Sequence, residues 1–304
     1  MRVKLMQLKK HLLSILIFLS CLLPSEAISQ KQLNLDVDND LYFDRDFYYS
    51  SGIFLTLMTP NAKNDKSSLN KLKIGQLIYT PSMRYESNPN KYDYPYSGYL
   101  YLEYQKQKKI SNFSSYSLGG QFGITGDASL AKGMQNLYHD LVLNLPHLKW
   151  ESQMPQELQL NFSASYFKGF NIKDNISITS ELYSRLGTYQ IMSGLEVGLF
   201  IGDLSWFRFH DNFIINGDSK FSFFIGTKQE YFLHDYKLEG SLFNDNAKLV
   251  MESINFRNIF LVGLKKNFKD LQILTSYNSM SKDTNNQRTK RHPFLKISLT
   301  YNLK

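Results

Sequence analysis

The amino-acid sequence predicts an all-β protein, a twelve-stranded antiparallel transmembrane β-barrel with a short extracellular loop helix. Three observations predict this fold class. The chain begins with a secretory signal, it contains 22 Phe and 20 Tyr residues, and polar and apolar residues alternate along much of its length. After the signal, no apolar run reaches the ~20 residues that a transmembrane helix needs. Outer-membrane barrels combine these properties, because their aromatic side chains form girdles at both interfaces.

Residues 1–27 carry the features of a signal peptide, which leaves residues 28–304 as one outer-membrane β-barrel domain. Basic residues precede an apolar stretch over 12–23, and Ser25 and Ala27 supply the small residues of a cleavage site. An uncleaved N-terminal anchor is the alternative, although the apolar stretch is about half as long as a membrane span. We therefore expect export through a cleaved signal to the outer membrane of a Gram-negative bacterium.

Charge and cysteine content limit the partners and the chemistry. The net charge of +8 is spread along the chain and is not clustered on one element, which argues against a nucleic-acid partner. A dispersed positive charge is typical of surfaces that face phosphorylated lipid headgroups. The single cysteine, Cys21, lies inside the signal, so the secreted chain has no thiol for a disulfide or a nucleophile. No feature indicates an obligate protein partner.

The C-terminal segment shows the strand pattern most clearly. From Leu295 to Leu303 every second residue is apolar, and polar residues occupy the positions between them, as in a strand with one face to lipid and one to a wet lumen. The same alternation predicts twelve strands, an even number that places both chain ends in the periplasm. The predicted ranges are 31–40, 50–59, 72–79, 97–107, 113–124, 156–169, 173–186, 189–200, 219–234, 250–265, 269–279 and 293–303.

One segment departs from the strand pattern. Over 129–145 the apolar residues recur at helical spacing, which predicts an amphipathic helix between the fifth and sixth strands. Asp127 is the expected N-cap, and Pro146 ends the run. Because the loop joins an odd-numbered strand to the next one, we expect the helix on the extracellular side. Packing over the barrel rim would be sufficient to explain it.

Two polar segments lie close to the predicted N-terminal strands. In the first, Asp36, Asp38 and Asp40 share one strand face and Asn39 lies on the other. Such hard oxygen donors suit Ca²⁺, and a hydrated lumen surface is the alternative. In the second, over 48–52, hydroxyl groups adjoin a glycine, which fits either a functional site or the start of a strand.

A third polar segment lies on the predicted loop helix. Gln135 and His139 are four residues apart and therefore share one face of the helix. Histidine is the side chain best suited to accept a proton near neutral pH. A packing or surface histidine is the alternative for an isolated residue of this type.

Together these segments resemble the outer-membrane lipid A 3′-O-deacylase family. The resemblance is dense from about residue 33 to residue 160 and consists of motifs in a fixed order. The matching motifs are Asp38-Asn39-Asp40, Tyr49-Ser50-Ser51-Gly52, Gly75-Gln76-Leu77-Ile78-Tyr79-Thr80-Pro81, Asp93-Tyr94-Pro95-Tyr96-Ser97-Gly98-Tyr99-Leu100, Gly123-Ile124-Thr125-Gly126, Gln135-Asn136 with His139, and Trp150, Gln153 and Glu157.

The resemblance implies a twelve-stranded barrel whose active site lies between the outer wall and a loop helix, and which uses Ca²⁺ to remove an acyloxyacyl chain from lipid A. By position, His139 matches the catalytic histidine, and Asn39 and Asp40 match the residues that bind Ca²⁺ and take part in catalysis. Ser50 matches a catalytic hydroxyl residue. Gln135 matches a glutamine that lines the site.

These matches predict a mechanism. His139 takes a proton from water, and Ca²⁺ at Asn39 and Asp40 stabilises the oxyanion that forms at the 3′-acyloxyacyl ester of lipid A, in lipopolysaccharide of the outer leaflet. Arg84, on a nearby predicted loop, is a candidate substrate-binding residue for a phosphate group. Two alternatives remain open: a non-enzymatic or inactive porin-like barrel, and an outer-membrane phospholipase.

Overall fold

A computed structural model describes residues 31–61, 68–111, 113–202 and 221–303. Twelve antiparallel strands form a closed barrel, which confirms the predicted fold class. The predicted signal peptide lies outside the described residues. The strands are β1 Lys31–Asn39, β2 Tyr48–Pro60, β3 Ser68–Thr80, β4 Ser97–Ser111, β5 Ser114–Thr125, β6 Leu158–Lys173, β7 Ile176–Gly187, β8 Gln190–Ile201, β9 Ser222–Asp235, β10 Phe256–Asn267, β11 Leu271–Ser281 and β12 Arg291–Leu303.

The barrel closes where the first strand pairs with the last. Lys31 lies opposite Leu303, and Asn39 lies opposite Leu295. Along β12 the apolar residues face outward and the polar residues face inward, as predicted: Leu299 and Tyr301 are exposed on the outer wall, whereas Thr300 is buried. Charged residues on inward-facing positions form ion pairs across neighbouring strands, among them Lys73 with Glu103 and Lys228 with Glu196. The polar face therefore lines a wet lumen and the apolar face meets lipid.

Two predicted strand starts differ from the structure by several residues. The tenth strand begins at Phe256 and not at residue 250. Residues 250–255 belong to the loop above the lumen, where the Met251 amide donates to the Leu238 carbonyl, so their apolar side chains pack under loops and not in a strand. The third strand begins at Ser68, four residues before the predicted start at 72, because its polar N-terminal part still pairs with β4.

The six loops that follow odd-numbered strands gather at the barrel end opposite the chain termini. Their residues form an aromatic layer with the strand ends, including Tyr48, Tyr79 and Tyr94. Beneath it lies an ionic group that we call the lumen cluster, composed of Asp235, Lys237, Arg257 and Asp283. Two cavities of about 380 and 440 Å³ lie in the lumen and are lined by side chains of both charges.

The lumen cluster connects two strands, β9 and β10, with the β9–β10 and β11–β12 loops. Lys237 and Arg257 both bond to the Asp235 carboxylate, with Arg257 at 2.6 Å. Lys237 also lies 3.2 Å from Asp283, and the Tyr94 hydroxyl donates to Asp283 at 2.7 Å. Although burial opposes the change, Lys237 and Arg257 lower the pKa of Asp283 below its ordinary value of 3.8.

The predicted loop helix is present, but it is shorter than 129–145 and begins differently. Helix α1 spans Ala131–Tyr138 and continues into a π-helical turn over His139–Leu143. The expected N-cap, Asp127, was wrong: it lies in a 3₁₀ turn over Gly126–Ser129, and its carboxylate accepts from Gln153 at 2.5 Å. Leu130, with φ of 60°, separates that turn from α1.

The remaining helical elements are short. They are the 3₁₀ turns Leu41–Phe43 and Pro89–Lys91 and helix α2 at Tyr236–Glu239. In the part of the chain that the structure describes, no helix is long and apolar enough to cross a membrane.

Candidate active site

Helix α1 lies against the outer wall of the barrel, over β3 and β4. Gly98 permits this approach, because a Cβ atom at that position would lie 2.3 Å from Ser129 Oγ and 2.4 Å from Ala131 Cβ. Ile78 of β3 and Trp150 of the returning loop complete the contact. The helix is thereby held at the extracellular end of the wall, next to the ends of β1 and β2.

A β-bulge in β2 presents Ser50 to the same region. Tyr49 pairs with Tyr79 and Ser51 pairs with Ile78, so Ser50 is an additional residue without a partner on β3. A bulge of this kind changes the direction of a side chain relative to the regular pleat. Tyr49 faces the lumen, where its hydroxyl donates to Asp38 at 2.8 Å, whereas Ser50 lines a cavity beneath the helix.

His139 is buried and faces a carboxylate that the sequence analysis did not identify. Its Nε2 lies 3.0 Å from Asp46 Oδ2, and its Nδ1 lies 3.3 Å from the Pro146 carbonyl oxygen. The side chain is 1% exposed. The hydrogen bond with Asp46 raises the pKa of His139 above its ordinary value of 6.5, although burial opposes this effect. The imidazole is therefore held in place and made more basic by the acid beside it.

Asp46 is the centre of a group that we call the site cluster, composed of Asp46, Ser50, Gln135 and His139. Ser50 Oγ donates to Asp46 Oδ1 at 2.5 Å, and Gln135 Nε2 donates to the same oxygen at 3.1 Å. Trp150 Nε1 donates to Gln135 Oε1 at 3.0 Å, which fixes the amide so that its NH₂ group points to Asp46. The carboxylate is thus fully engaged with polar partners.

The predicted substrate-binding residue Arg84 contacts the same carboxylate. Its Nε lies 3.4 Å from Asp46 Oδ2, and its Nη1 donates to the Asp46 carbonyl at 3.1 Å. Its guanidinium also lies over the Tyr85 ring, 5.2 Å from the centroid. Arg84 therefore supports the site cluster from the β3–β4 loop, and its contact with a substrate phosphate stays a prediction.

The cavity at the site cluster has a volume of about 150 Å³ and is mostly apolar. Asn39, Ser51 and the four residues of the site cluster form its polar part. The apolar lining comes from the outer wall and from the helix, and consists of Val37, Leu41, Tyr42, Ile53, Ile78, Met134, Tyr138 and Leu143. A polar end joined to an apolar slot suits an acyl ester, since the ester needs hydrogen bonds and the chain does not.

The two residues predicted to bind Ca²⁺ differ in their contacts. Asn39 lines the cavity, and its Oδ1 accepts from the Leu41 amide at 2.7 Å. Asp40 does not line the cavity: its Oδ2 accepts from the Phe47 amide at 2.9 Å and lies 3.4 Å from His292 Nε2. Of the predicted residues, the structure brings His139, Gln135, Ser50 and Asn39 together, and Asp46 takes the place expected for Asp40.

The donors near the cavity match the chemistry of a hard cation. Asn39, Asp40 and Asp46 provide amide and carboxylate oxygens, and Asp40 Oδ1 is buried with no hydrogen-bond partner. Burial raises the pKa of Asp40 well above its ordinary value of 3.8. Within the described ranges, no group of three or more His, Cys, Asp or Glu side chains is arranged to hold a metal ion.

Sequence reasoning had little means of finding Asp46. Residues 44–46 form a polar cluster in a loop, and such clusters are common in turns. The backbone that follows has an unusual conformation, with φ of 58° at Tyr48, and this bend returns the chain so that Asp46 lies over Ser50. A positive φ at a tyrosine leaves no sequence signal.

The closed twelve-stranded wall defines an outer-membrane barrel protein, and the polar group on its outer surface is a candidate active site. The sequence model of the family described as Outer membrane protein LpxR matches residues 12–303, and the chain belongs to that family. This confirms the resemblance to the lipid A 3′-O-deacylase family and supports an outer-membrane lipid A deacylase.

Among solved structures, LpxR from Salmonella typhimurium is similar to this chain with a TM-score of 0.74 and 17% identity, covering 90% of this chain and 100% of that one. The beta domain of the Bordetella autotransporter BrkA has a TM-score of 0.47 at 9% identity, covering 91% and 99%. A KdgM porin has a TM-score of 0.42 at 8% identity, covering 90% and 99%. No curated protein sequence matches the chain.

Proposed function

We propose that the protein hydrolyses the ester that links the 3′-acyloxyacyl chain to lipid A, with His139 as the general base. One observation carries the proposal: His139 and Asp46 lie 3.0 Å apart at the polar end of an apolar cavity on the outer wall of the barrel. Membership of the LpxR family supports the lipid A substrate. The position on the outer wall supports a substrate that arrives from the leaflet and not from the lumen.

The Pro146 carbonyl oxygen can only accept a hydrogen bond, so the proposed tautomer of His139 carries its proton on Nδ1, 3.3 Å from that oxygen. The lone pair of the neutral ring is then on Nε2, beside Asp46, and it takes the proton from water and returns it to the leaving alcohol. The proposed role of Asp46 is to stabilise the imidazolium that forms, since its Oδ2 lies 3.0 Å from Nε2. General acid–base catalysis of this kind contributes roughly 10²–10⁴-fold to the rate.

Water, and not Ser50, is the proposed nucleophile. A serine nucleophile must donate its proton to the base, so it needs a hydrogen bond to an imidazole nitrogen. The Ser50 hydroxyl donates instead to Asp46 and lies 3.4 Å from Gln135 Nε2. Its role is to orient the carboxylate beside His139. Asp46 is an acid beside the base, as in a Ser–His–Asp triad, but Ser50 bonds to this acid and not to the imidazole, which favours water as the nucleophile.

We further propose a Ca²⁺ site at Asn39 and Asp40, which requires the Asp40 carboxylate to contribute Oδ1, the oxygen that has no hydrogen-bond partner. When bound, the cation would supply Lewis-acid stabilisation of the negative charge that develops on the ester oxygen. Asn39 is the donor on the cavity side, and its amide is oriented by the Leu41 backbone.

Mass spectrometry of lipid A tests this function. The full chain is expressed in a Gram-negative host with Ca²⁺ present, and barrel folding is verified by heat-modifiable mobility in electrophoresis. Wild type should produce lipid A lacking the mass of the 3′-acyloxyacyl group, and His139→Ala should abolish this product. His147→Ala is the matched control, since His147 is exposed and bonds only to Asp140.

Three outcomes would count against the proposal. Unchanged lipid A beside a folded barrel indicates an inactive or porin-like barrel. Release of fatty acid from glycerophospholipid with intact lipid A indicates a phospholipase. Full activity of His139→Ala preserves the substrate but refutes the assigned base.

A further inference from the structure

The loop helix is inverted relative to the usual amphipathic helix. Its inward stripe, spaced by four residues, consists of Ala131, Gln135 and His139, so two of the three inward side chains are polar. Its outward side is apolar and consists of Leu130, Met134, Leu137, Tyr138, Leu141 and Val142. A helix on a protein surface in water shows the opposite arrangement, with its apolar stripe against the core.

The outward apolar side chains are 37–61% exposed, and two of them, Met134 and Tyr138, also line the cavity. Leu141 is 55% exposed and Val142 is 61% exposed, whereas Gln135 on the opposite face is 6% exposed. Neighbouring Tyr42, on the β1–β2 loop, is 66% exposed and lines the same cavity as the helix. We call this group of Tyr42 and the six outward helix residues the apolar helix face. A contiguous apolar face of this kind indicates a binding surface.

The position of the apolar helix face identifies its occupant. The helix lies on the outer wall, where β5 and β6 carry large exposed apolar side chains at the same end of the barrel. Phe122 and Leu160 are cross-strand partners, exposed by 57% and 48%, and Leu158 is 66% exposed. These wall residues face lipid in an outer-membrane barrel. The apolar helix face is therefore an extension of an existing lipid-facing surface.

The charges on the helix agree with this placement. Lys132 and Asp140 are the charged residues of Ala131–Leu143, and both are exposed. Asp140 is paired with His147 at 2.7 Å, so its charge is directed to the returning loop. These two charges leave the apolar helix face uninterrupted, and an apolar face opposite a polar one is the pattern of a helix that lies in the membrane interface.

We infer that the apolar helix face is inserted among the acyl chains of the outer leaflet. The helix then lies in the membrane plane beside the barrel, with its polar stripe over the site cluster and its apolar side in lipid. The inference concerns the place of the helix and stands without the proposed hydrolysis. Its occupant is a lipid surface, and a second protein copy on this face is an alternative that the test separates.

Single-cysteine labelling tests the insertion. In a Cys21→Ser background, the variants Leu141→Cys and Asp140→Cys place an environment-sensitive bimane on adjacent residues of the π-helical turn. Phe243→Cys is a second control, because Phe243 is an apolar residue, 79% exposed, on the β9–β10 loop. The full chain is refolded into phosphatidylcholine vesicles with either native or brominated acyl chains.

The bimane at position 141 should emit at shorter wavelength and lose roughly half or more of its intensity in brominated vesicles, because bromine quenches only at short range within the acyl region. The labels at 140 and 243 should be quenched little. Equal quenching at 140 and 141 would overturn the inference. A blue-shifted but unquenched label at 141 would also overturn it, since that result indicates burial against protein.

Discussion

Two buried polar groups stand on opposite sides of the same barrel wall, and they differ in how their charges are balanced. In the lumen cluster, Asp235 and Asp283 are paired with the ammonium group of Lys237 and the guanidinium group of Arg257. In the site cluster, Asp46 bonds to a titratable imidazole and to neutral hydroxyl and amide groups, and the Arg84 guanidinium lies 3.4 Å from it. The comparison teaches that two carboxylates paired with two cationic side chains make a structural clamp, whereas a carboxylate bonded to an imidazole makes a group that can exchange a proton.

The largest expected effect comes from neutralising the acid of the site cluster. Asp46→Asn should lower kcat by roughly 10³–10⁴-fold, because a neutral amide does not stabilise the imidazolium that forms when His139 takes the proton. Deacylation of lipid A by purified protein measures the effect. Asp44→Asn is the matched control, since Asp44 is exposed in the same loop and carries the same charge. Loss of less than about tenfold would show that Asp46 does not stabilise the imidazolium.

Removal of one cationic side chain from the lumen cluster should lower the stability of the barrel. Arg257→Met leaves Asp235 and Asp283 with Lys237 as their remaining cation, and should reduce the free energy of unfolding by about 3–5 kcal/mol. Denaturant unfolding in detergent measures it. Arg185→Met is the control, because Arg185 bonds to the neutral Gln190 side chain. Activity per folded molecule should stay near wild type. A large loss of activity without loss of stability would contradict the structural role assigned to the lumen cluster.

Removal of divalent cations should lower the activity that depends on the site cluster and leave the stability provided by the lumen cluster unchanged. A chelator should lower the deacylation rate by roughly 10²-fold, because the proposed Ca²⁺ stabilises charge on the ester oxygen. Added Ca²⁺ should restore the rate. The lumen cluster has its own cations, so the unfolding transition should move little. Asn39→Ala should respond weakly to both treatments, and an unaffected wild type would refute the metal site.

The smallest expected effect is a shift in pH dependence. The base must be deprotonated, and the bond with Asp46 raises the pKa of His139 above 6.5, so activity should rise with pH along a limb centred above that value. In Asp46→Asn the residual activity should have its limb at lower pH. The same bond stabilises the protonated fold below pH 6.5, and this contribution is lost as pH rises through the raised pKa. If the pH–activity profile of Asp46→Asn rises at the same pH as that of wild type, the proposed interaction between Asp46 and His139 is wrong.

The sequence predicted the barrel well because lipid and lumen impose a period of two on every strand. It also predicted that His139 and Gln135 lie on one helix face, since four-residue spacing determines this. The same logic places Asn39 and Asp40 on opposite faces of a strand, and the structure has only Asn39 at the cavity. Asp46 was missed because its position depends on loop backbone angles, and Asp127 was wrongly expected to cap the helix for the same reason.

The extra residue at Ser50 has a consequence for any attempt to move this chemistry to another barrel. In a regular strand, side chains point alternately to lipid and to the lumen. An enzyme that acts on lipids needs hydroxyl and carboxylate groups on the lipid-facing side. One inserted amino acid breaks the alternation locally while the pairing of β1 with β2 continues from Ser51 onward. If the site residues were grafted onto a β1–β2 hairpin without this bulge, the Ser50 side chain would point into the lumen and not toward lipid.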